Sequence, residues 1–277
     1  MTAGAGAVPM DCFGLTDVGK VRELNEDQFV IASLRKSVRL RHTSLTDADL
    51  VARLAGVESY LFVVADGVGG RPGGELASTS AVSSLLEYLD QAVVAYHSLN
   101  TDQEHDFLAR LEESVQAAHR RILEEYGAQG KGPATTLTMV TLTWPRAYLV
   151  HVGDSRAYYL RGGRLRQLTR DQTTGEYMVD AGAWTEEQAA RAKVGANLIS
   201  ALGGSEMTPV VGLIDLEAGD VLLLCTDGLT KHVADPQIAA VLEAGGSAEA
   251  MCRELVQSAL DAGGSDNVTV IVVKLGG

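Results

Sequence analysis

Apolar and polar positions along this chain alternate with two different periods, and the changes of period divide it into elements. Residues 13–19 and 28–32 are short runs rich in branched and aromatic side chains and predict two strands, with the polar stretch 20–27 between them. Residues 33–59 carry several basic side chains and a short amphipathic patch at 45–54, which reads as an insertion or an elaborated hairpin. The run that starts at Leu61 is apolar enough for one buried strand and ends at Asp66, followed by glycines at 67, 69 and 70. From 75 to 96 the period lengthens, and Leu76, Val82, Leu85, Leu86, Leu89, Val93 and Val94 share a helical face. The stretch 102–126 repeats this with Phe107, Leu108, Leu111, Val115, Ala118 and Ile122, before Gly127 and Gly130 close it.

The period then shortens again. Residues 136–143, 147–152, 156–160 and 164–168 predict four strands joined by turns such as Trp144-Pro145-Arg146, and connections that short make neighbours antiparallel. Residues 171–200 are polar and mixed, with one short helix expected over 185–193 behind a Thr185…Gln188 capping box. A segment of that kind between strands predicts a flap rather than core. Further strands are expected at 220–226 and 268–274, and helices at 236–242 and 247–260, the second stopped by Gly263-Gly264. Strand groups interleaved with helix pairs predict an α+β fold, two antiparallel sheets packed face to face with helices on both outer faces. Residues 1–10 read as a flexible leader and 11–277 as one domain, with no internal repeat or linker.

Composition narrows the function classes. The chain has 277 residues, 46% of them hydrophobic, and a net charge of −13. That balance argues against nucleic acid or an anionic membrane surface as partner, and most of it reads as a solvated acidic surface. Cys12, Cys225 and Cys252 are odd in number and lack zinc-ligand spacing, so no disulfide framework is expected and a reducing, cytoplasmic setting is the default. The N-terminal residues show neither a basic region nor a long apolar core, so a secretory signal is not expected, and nothing approaches the roughly 20 apolar residues of a membrane span.

Three apolar strands meet carboxylates in the same way. Asp66 ends the first, Asp227 ends the run from Val221 before Gly228, and Asp266 sits in the turn that feeds Val268. A single Asp-Gly is most often a turn. Three of them, with Asp154 between Gly153 and Ser155 and the Glu26–Asp27 pair, point instead to one cluster. Carboxylates crowded in a low-dielectric cleft repel, and a divalent cation removes that conflict. The candidate ligands are all oxygens, which favours magnesium or manganese over zinc or copper. Two such ions about 4 Å apart could share a bridging water, lower its pKa and direct the hydroxide in line at a phosphorus. Arg22 is a candidate bidentate grip on the phosphate, or a surface arginine. Arg156 is open between a role in the cluster and a structural salt bridge. His151 alone among the six histidines falls near these residues, and Cys225 reads as core filler.

Six short motifs occur in order: Gly19-x-Val21-Arg22-x-x-Asn25-Glu26-Asp27, Val64-Ala65-Asp66-Gly67-x-Gly69-Gly70, Ala134-Thr135-Thr136, Gly153-Asp154-Ser155-Arg156, Thr226-Asp227-Gly228 and Ser265-Asp266-Asn267. Over roughly residues 13–274 the chain resembles the metal-dependent protein phosphatases of the PP2C (PPM) family, bacterial serine/threonine type. The resemblance implies a four-layer α-β-β-α sandwich with a dimetal site at one end. It implies that Asp66 bridges two manganese or magnesium ions, that the Gly67 carbonyl joins one of them, and that Asp227 and Asp266 hold the other. Glu26 and Asp27 match an acidic pair supporting metal-bound waters, Arg22 the phosphate-gripping arginine, and Asp154 with Asp227 a third, weaker metal site. The stretch 171–200 corresponds to the substrate flap. Many eukaryotic members have a histidine after the Asp-Gly, and here that position is Val68. The implied activity is hydrolysis of phosphoserine and phosphothreonine in proteins, opposing a bacterial Ser/Thr kinase, with the chain expected to be a monomer. A catalytically silent phosphoprotein-binding scaffold would be marked by a lost acid, and none is lost. A dimetal phosphatase for a small molecule would differ at the flap, not at the metal centre.

Overall fold

The computed structural model describes residues 9–35, 58–68, 73–92, 101–127 and 132–276. Its strands are β1 (Met10–Asp17), β2 (Gln28–Arg35), β3 (Glu58–Ala65), β4 (Leu137–Thr143), β5 (Arg146–Val152), β6 (Arg156–Arg161), β7 (Arg164–Gln167), β8 (Val210–Asp215), β9 (Val221–Cys225) and β10 (Val268–Leu275). Its helices are α1 (Gly74–Ala92), α2 (Thr101–Tyr126), α3 (Thr174–Asp180), α4 (Glu186–Arg191), α5 (Asp227–Thr230), α6 (Asp235–Ala244) and α7 (Ala248–Asp261). The strands form two five-stranded sheets, in the orders β1-β10-β9-β6-β7 and β2-β3-β4-β5-β8. Every pairing within them is antiparallel.

Strands buried on both faces explain the layering, because successive side chains point to opposite sides. In β3, Leu61, Val63 and Ala65 pack with Leu85, Leu111, Val115 and Ile122 of α1 and α2, while Phe62 and Val64 face the other sheet. In β9, Val221, Leu223 and Cys225 pack with Met251, Leu255 and Ala259 of α7, while Leu222 and Leu224 meet Phe62 and Val64 across the sandwich. Three apolar layers therefore separate four structural ones, which is the α-β-β-α sandwich expected from the element pattern. Cys225 is buried within this core, as anticipated. Among the described residues no helix is long and apolar enough to cross a membrane.

Several local expectations are corrected. β2 and β3 pair in register from Gln28↔Ala65 to Arg35↔Glu58, so both strands are longer than their apolar runs suggest. The rest of the 33–59 stretch lies outside the described residues, as do most of the 1–10 leader, Gly69 and Gly70, the Leu89 side chain, Val93 and Val94. Met10 already belongs to β1. Leu76 is 51% exposed, because the inner face of α1 is set by Ala77, Ala81 and Leu85 instead. β5 and β6 do not pair despite the three-residue link between them. That link crosses from one sheet to the other, held by Ser155 Oγ with Thr136 Oγ1, just before β4, at 2.6 Å and by Thr138 Oγ1 of β4 donating to the Ser155 carbonyl at 2.8 Å. The sequence pattern predicts none of α3, α5 and β8. β8 is an edge strand beside β5 with a glycine in its middle and both Val210 and Leu213 exposed, so its pattern carries little alternation.

Candidate active site

Antiparallel pairing places the end of β3, the start of β2, the end of β9 and the start of β10 at one rim of the sandwich, where the β5–β6 link also crosses. Asp66, Asp27, Asp227, Asp266 and Asp154 stand at those five positions. A pocket of about 450 Å³ opens there, lined by Asp66, Asp154, Asp227, Asp266, Arg22 and Lys231, with Val68 and the 196–201 stretch on its walls. The structure thus brings five of the candidate residues to one cavity. Glu26, Asp27 and Gly67 lie behind it rather than on its surface.

Each acid is held through its backbone or its neighbours. The Asp66 carbonyl accepts from Thr136 N and Thr135 Oγ1, both at 2.9 Å, which fixes the end of β3. Asp27 is buried, and its Oδ2 accepts from Thr226 Oγ1 at 2.8 Å and Thr269 Oγ1 at 2.7 Å. Asn267 fastens the segment that carries Arg22: its Nδ2 donates to the carbonyls of Val18 and Leu24 at 2.9 Å, and its Oδ1 accepts from Glu26 N at 2.9 Å. Two glycines allow these loops to close. A Cβ on Gly228 would stand 1.9 Å from the Asn267 carbonyl oxygen, and one on Gly67 would stand 2.6 Å from the backbone of Gly74.

The electrostatics divide the cluster. Asp66 and Asp154 show a little surface to the pocket but are otherwise enclosed by protein, and loss of water raises both. Burial and then the charges of Asp27, Asp227 and Asp154 hold Asp66 well above the carboxylate range. Burial and Asp227 push Asp154 up to about 8. Burial pushes Asp27 up to about 7 against the lowering effect of its two threonine hydrogen bonds. Asp266 goes the other way: burial works upward, but hydrogen bonds from Lys231 and Arg22 overcome it and hold the group below its ordinary value. The Arg22 fork lies on Asp266, with Nε–Oδ1 at 2.7 Å and Nη2–Oδ2 at 3.1 Å. Lys231 Nζ lies between Asp227 Oδ2 at 2.5 Å and Asp266 Oδ2 at 2.7 Å.

The donor set fits hard cations. Asp27 Oδ1 and Asp227 Oδ1 are buried with no hydrogen-bond partner among the described residues, and such orphaned carboxylate oxygens ask for positive charge. As they stand, no three His, Cys, Asp or Glu side chains among the described residues close around a single point. The Lys231 ammonium lies between two of the acids that would have to approach.

Other expectations resolve away from the site. Arg156 is a structural partner, donating from Nε and Nη2 to Asp171 at 2.8 and 2.7 Å and from Nη1 to Tyr158 at 2.9 Å. His151 is buried between Thr138 Oγ1 and the Arg170 carbonyl, and burial lowers it to about 4, so it stays neutral and packs. Val68 gives the pocket an apolar wall. Sequence reasoning includes Thr226 and Asn267 only as motif members without a role, and it misses Thr269 and Lys231 as supporting residues. Lys231 lies four residues after Asp227, a helical spacing that could have exposed it.

The family described as protein phosphatase 2C matches residues 40–266. The serine/threonine protein phosphatase PstP of Mycobacterium tuberculosis is 35% identical over 247 residues, covering 87% of this chain and 46% of that protein. The chain therefore spans less than half the length of that relative. The protein phosphatase PhpP of Streptococcus pneumoniae is 31% identical over 264 residues, covering 94% of this chain and 96% of PhpP. Among solved structures, the catalytic domain of PstP in complex with two manganese ions superimposes with a TM-score of 0.73 at 32% identity, covering 97% of this chain and 99% of that one.

Proposed function

The chain belongs to the protein phosphatase 2C family, and we propose that it is a metal-dependent phosphatase acting on phosphoserine and phosphothreonine in proteins. The observation that carries the proposal is the convergence of Asp66, Asp154, Asp227, Asp266 and Arg22 on one pocket, with buried carboxylate oxygens left unpartnered. PstP and PhpP, named as protein phosphatases, support the reaction class, and the two manganese ions in the PstP structure support the choice of cofactor.

Asp66 would serve both of two manganese or magnesium ions, with the Gly67 carbonyl joining it on one and Asp227 and Asp266 on the other. Asp154 beside Asp227 offers a third, weaker position, and Glu26 and Asp27 support the cluster from behind. When bound, such a pair supplies an activated water for in-line attack and positive charge for the phosphoryl oxygens. The chain's own part is to fix the acids in place, which Thr226 and Thr269 do for the Asp27 carboxylate and Thr135 and Thr136, just before β4, do for the Asp66 backbone. Arg22 stands at the pocket edge with its side chain 36% exposed, placed to turn its fork from Asp266 toward a phosphate. The 171–200 stretch supplies one wall and would act as the flap that selects substrate, and phosphoproteins made by a bacterial Ser/Thr kinase are the substrates proposed. Three free cysteines support a cytoplasmic setting.

The test is hydrolysis of a phosphothreonine peptide with manganese and with chelator. Turnover is expected with the metal alone, and Asp66→Asn or Asp227→Asn is expected to abolish it. Turnover indifferent to chelator would rule the mechanism out.

A further inference from the structure

We propose that Lys231 is a tethered cation that occupies the Asp227–Asp266 half of the site in the metal-free protein and competes there with a divalent ion. The inference rests on the metal-dependent reading above and adds to it a difference between the two ion positions.

Its geometry follows from the local fold. Asp227 opens α5, and Lys231 closes it by donating its backbone N–H to the Asp227 carbonyl at 2.8 Å. Side chains four apart on a helical turn face the same way, so the ammonium is delivered to the Asp227 carboxylate. It reaches Asp227 Oδ2 at 2.5 Å and Asp266 Oδ2 at 2.7 Å, joining two acids that come from different strands. The remaining capacity of Asp266 is also in use. Its Oδ1 receives Arg22 Nε at 2.7 Å and the Asn267 N–H at 3.0 Å, and its Oδ2 receives Arg22 Nη2 at 3.1 Å. An ion that needs an oxygen of Asp266 must therefore displace a protein cation first. Among the described residues no cation is hydrogen-bonded to the Asp66 carboxylate, which feels the charges of Asp27, Asp227 and Asp154 and, less directly, of Arg22. One half of the site thus carries its own positive charge and the other does not. A site that is competent only when its own cation has swung away binds with an apparent affinity reduced by the competent fraction. The Lys231 side chain is 40% exposed, so its stem has solvent to swing into.

The experiment titrates the metal-free full chain with manganese and follows free Mn²⁺ by electron paramagnetic resonance. In the wild type two ions are expected with unequal affinities. Lys231→Gln should tighten the weaker by about tenfold while leaving the stronger in place, and Lys231→Arg, which keeps the charge, should stay weak. A second readout needs no variant: acetylation of the Lys231 amine, followed by mass spectrometry, should rise when manganese saturates the site and releases the ammonium. Equal affinities in Lys231→Gln and wild type, or labelling of Lys231 that manganese leaves unchanged, would overturn the proposal while leaving the metal reading intact. Failure of manganese to bind either protein would remove the metal reading, and this inference with it.

Discussion

Asp154→Asn isolates the conflict between the fold and its own acids. Burial and the Asp227 charge raise the Asp154 carboxyl from 3.8 to about 8. A carboxyl raised on folding keeps a proton that the unfolded chain would lose. Below pH 4 both states are protonated and the group is neutral to stability. Between pH 4 and 8 the folded state binds more protons, so stability falls as pH rises. At 1.36 kcal/mol per unit, the burden is on the order of 4 kcal/mol at pH 7 and about 2 kcal/mol at pH 5, shared among the coupled acids. Asparagine keeps the shape and removes the charge. The variant should therefore be more stable than wild type in EDTA, with the gain growing from pH 5 to pH 8. At about 2–4 °C per kcal/mol the gain at neutral pH is roughly 10 °C in Tm. Differential scanning calorimetry of the metal-free proteins at pH 5, 6, 7 and 8 reads this directly. Added manganese should narrow the difference, because ligand binding to the native state stabilises the wild type more. A Tm difference that is absent, or that shrinks toward high pH, would refute the picture of repelling buried carboxylates.

Two further substitutions test other parts of the site. Arg22→Ala should raise KM for a phosphothreonine peptide by about 10- to 100-fold, the worth of charge-assisted hydrogen bonds, while calorimetric manganese binding remains measurable; collapse of metal affinity would show that its partnership with Asp266 is its main role. Gly228→Ala places a Cβ 1.9 Å from the Asn267 carbonyl oxygen. It should lower stability in urea titrations by about 3 kcal/mol or more and impair turnover together, and a variant within experimental error of wild type would contradict the close approach.

The parts of the site that were legible in the sequence are those where one strand alone places a group. An apolar run ending in Asp66-Gly67, another ending in Asp227-Gly228 and a turn through Asp266 each announce an acid at a strand tip, and the sandwich brings the three tips together. The hidden parts depend on which strand lies beside which. Thr226 and Thr269 become partners of Asp27 only because β9 and β10 pair and β2 approaches them from the other sheet. The β5–β6 link looks like a hairpin turn in sequence, and only the packing of Ser155 against Thr136 turns it into a crossing. The sequence does not decide the role of Arg156 for a related reason, since Asp171 lies beyond β7 and no spacing connects the two. β8 is nearly silent because an exposed edge strand has little need to alternate.

The acids at the rim come from both sheets: Asp27 and Asp66 border β2 and β3, Asp227 and Asp266 border β9 and β10, and Asp154 lies where the chain passes between them. The three cysteines are free, so no covalent staple ties the layers. A cation gripped by groups from each side would act as a rivet through the stack, and the protein's chemistry and the cohesion of its two halves at that end would share a single fastening.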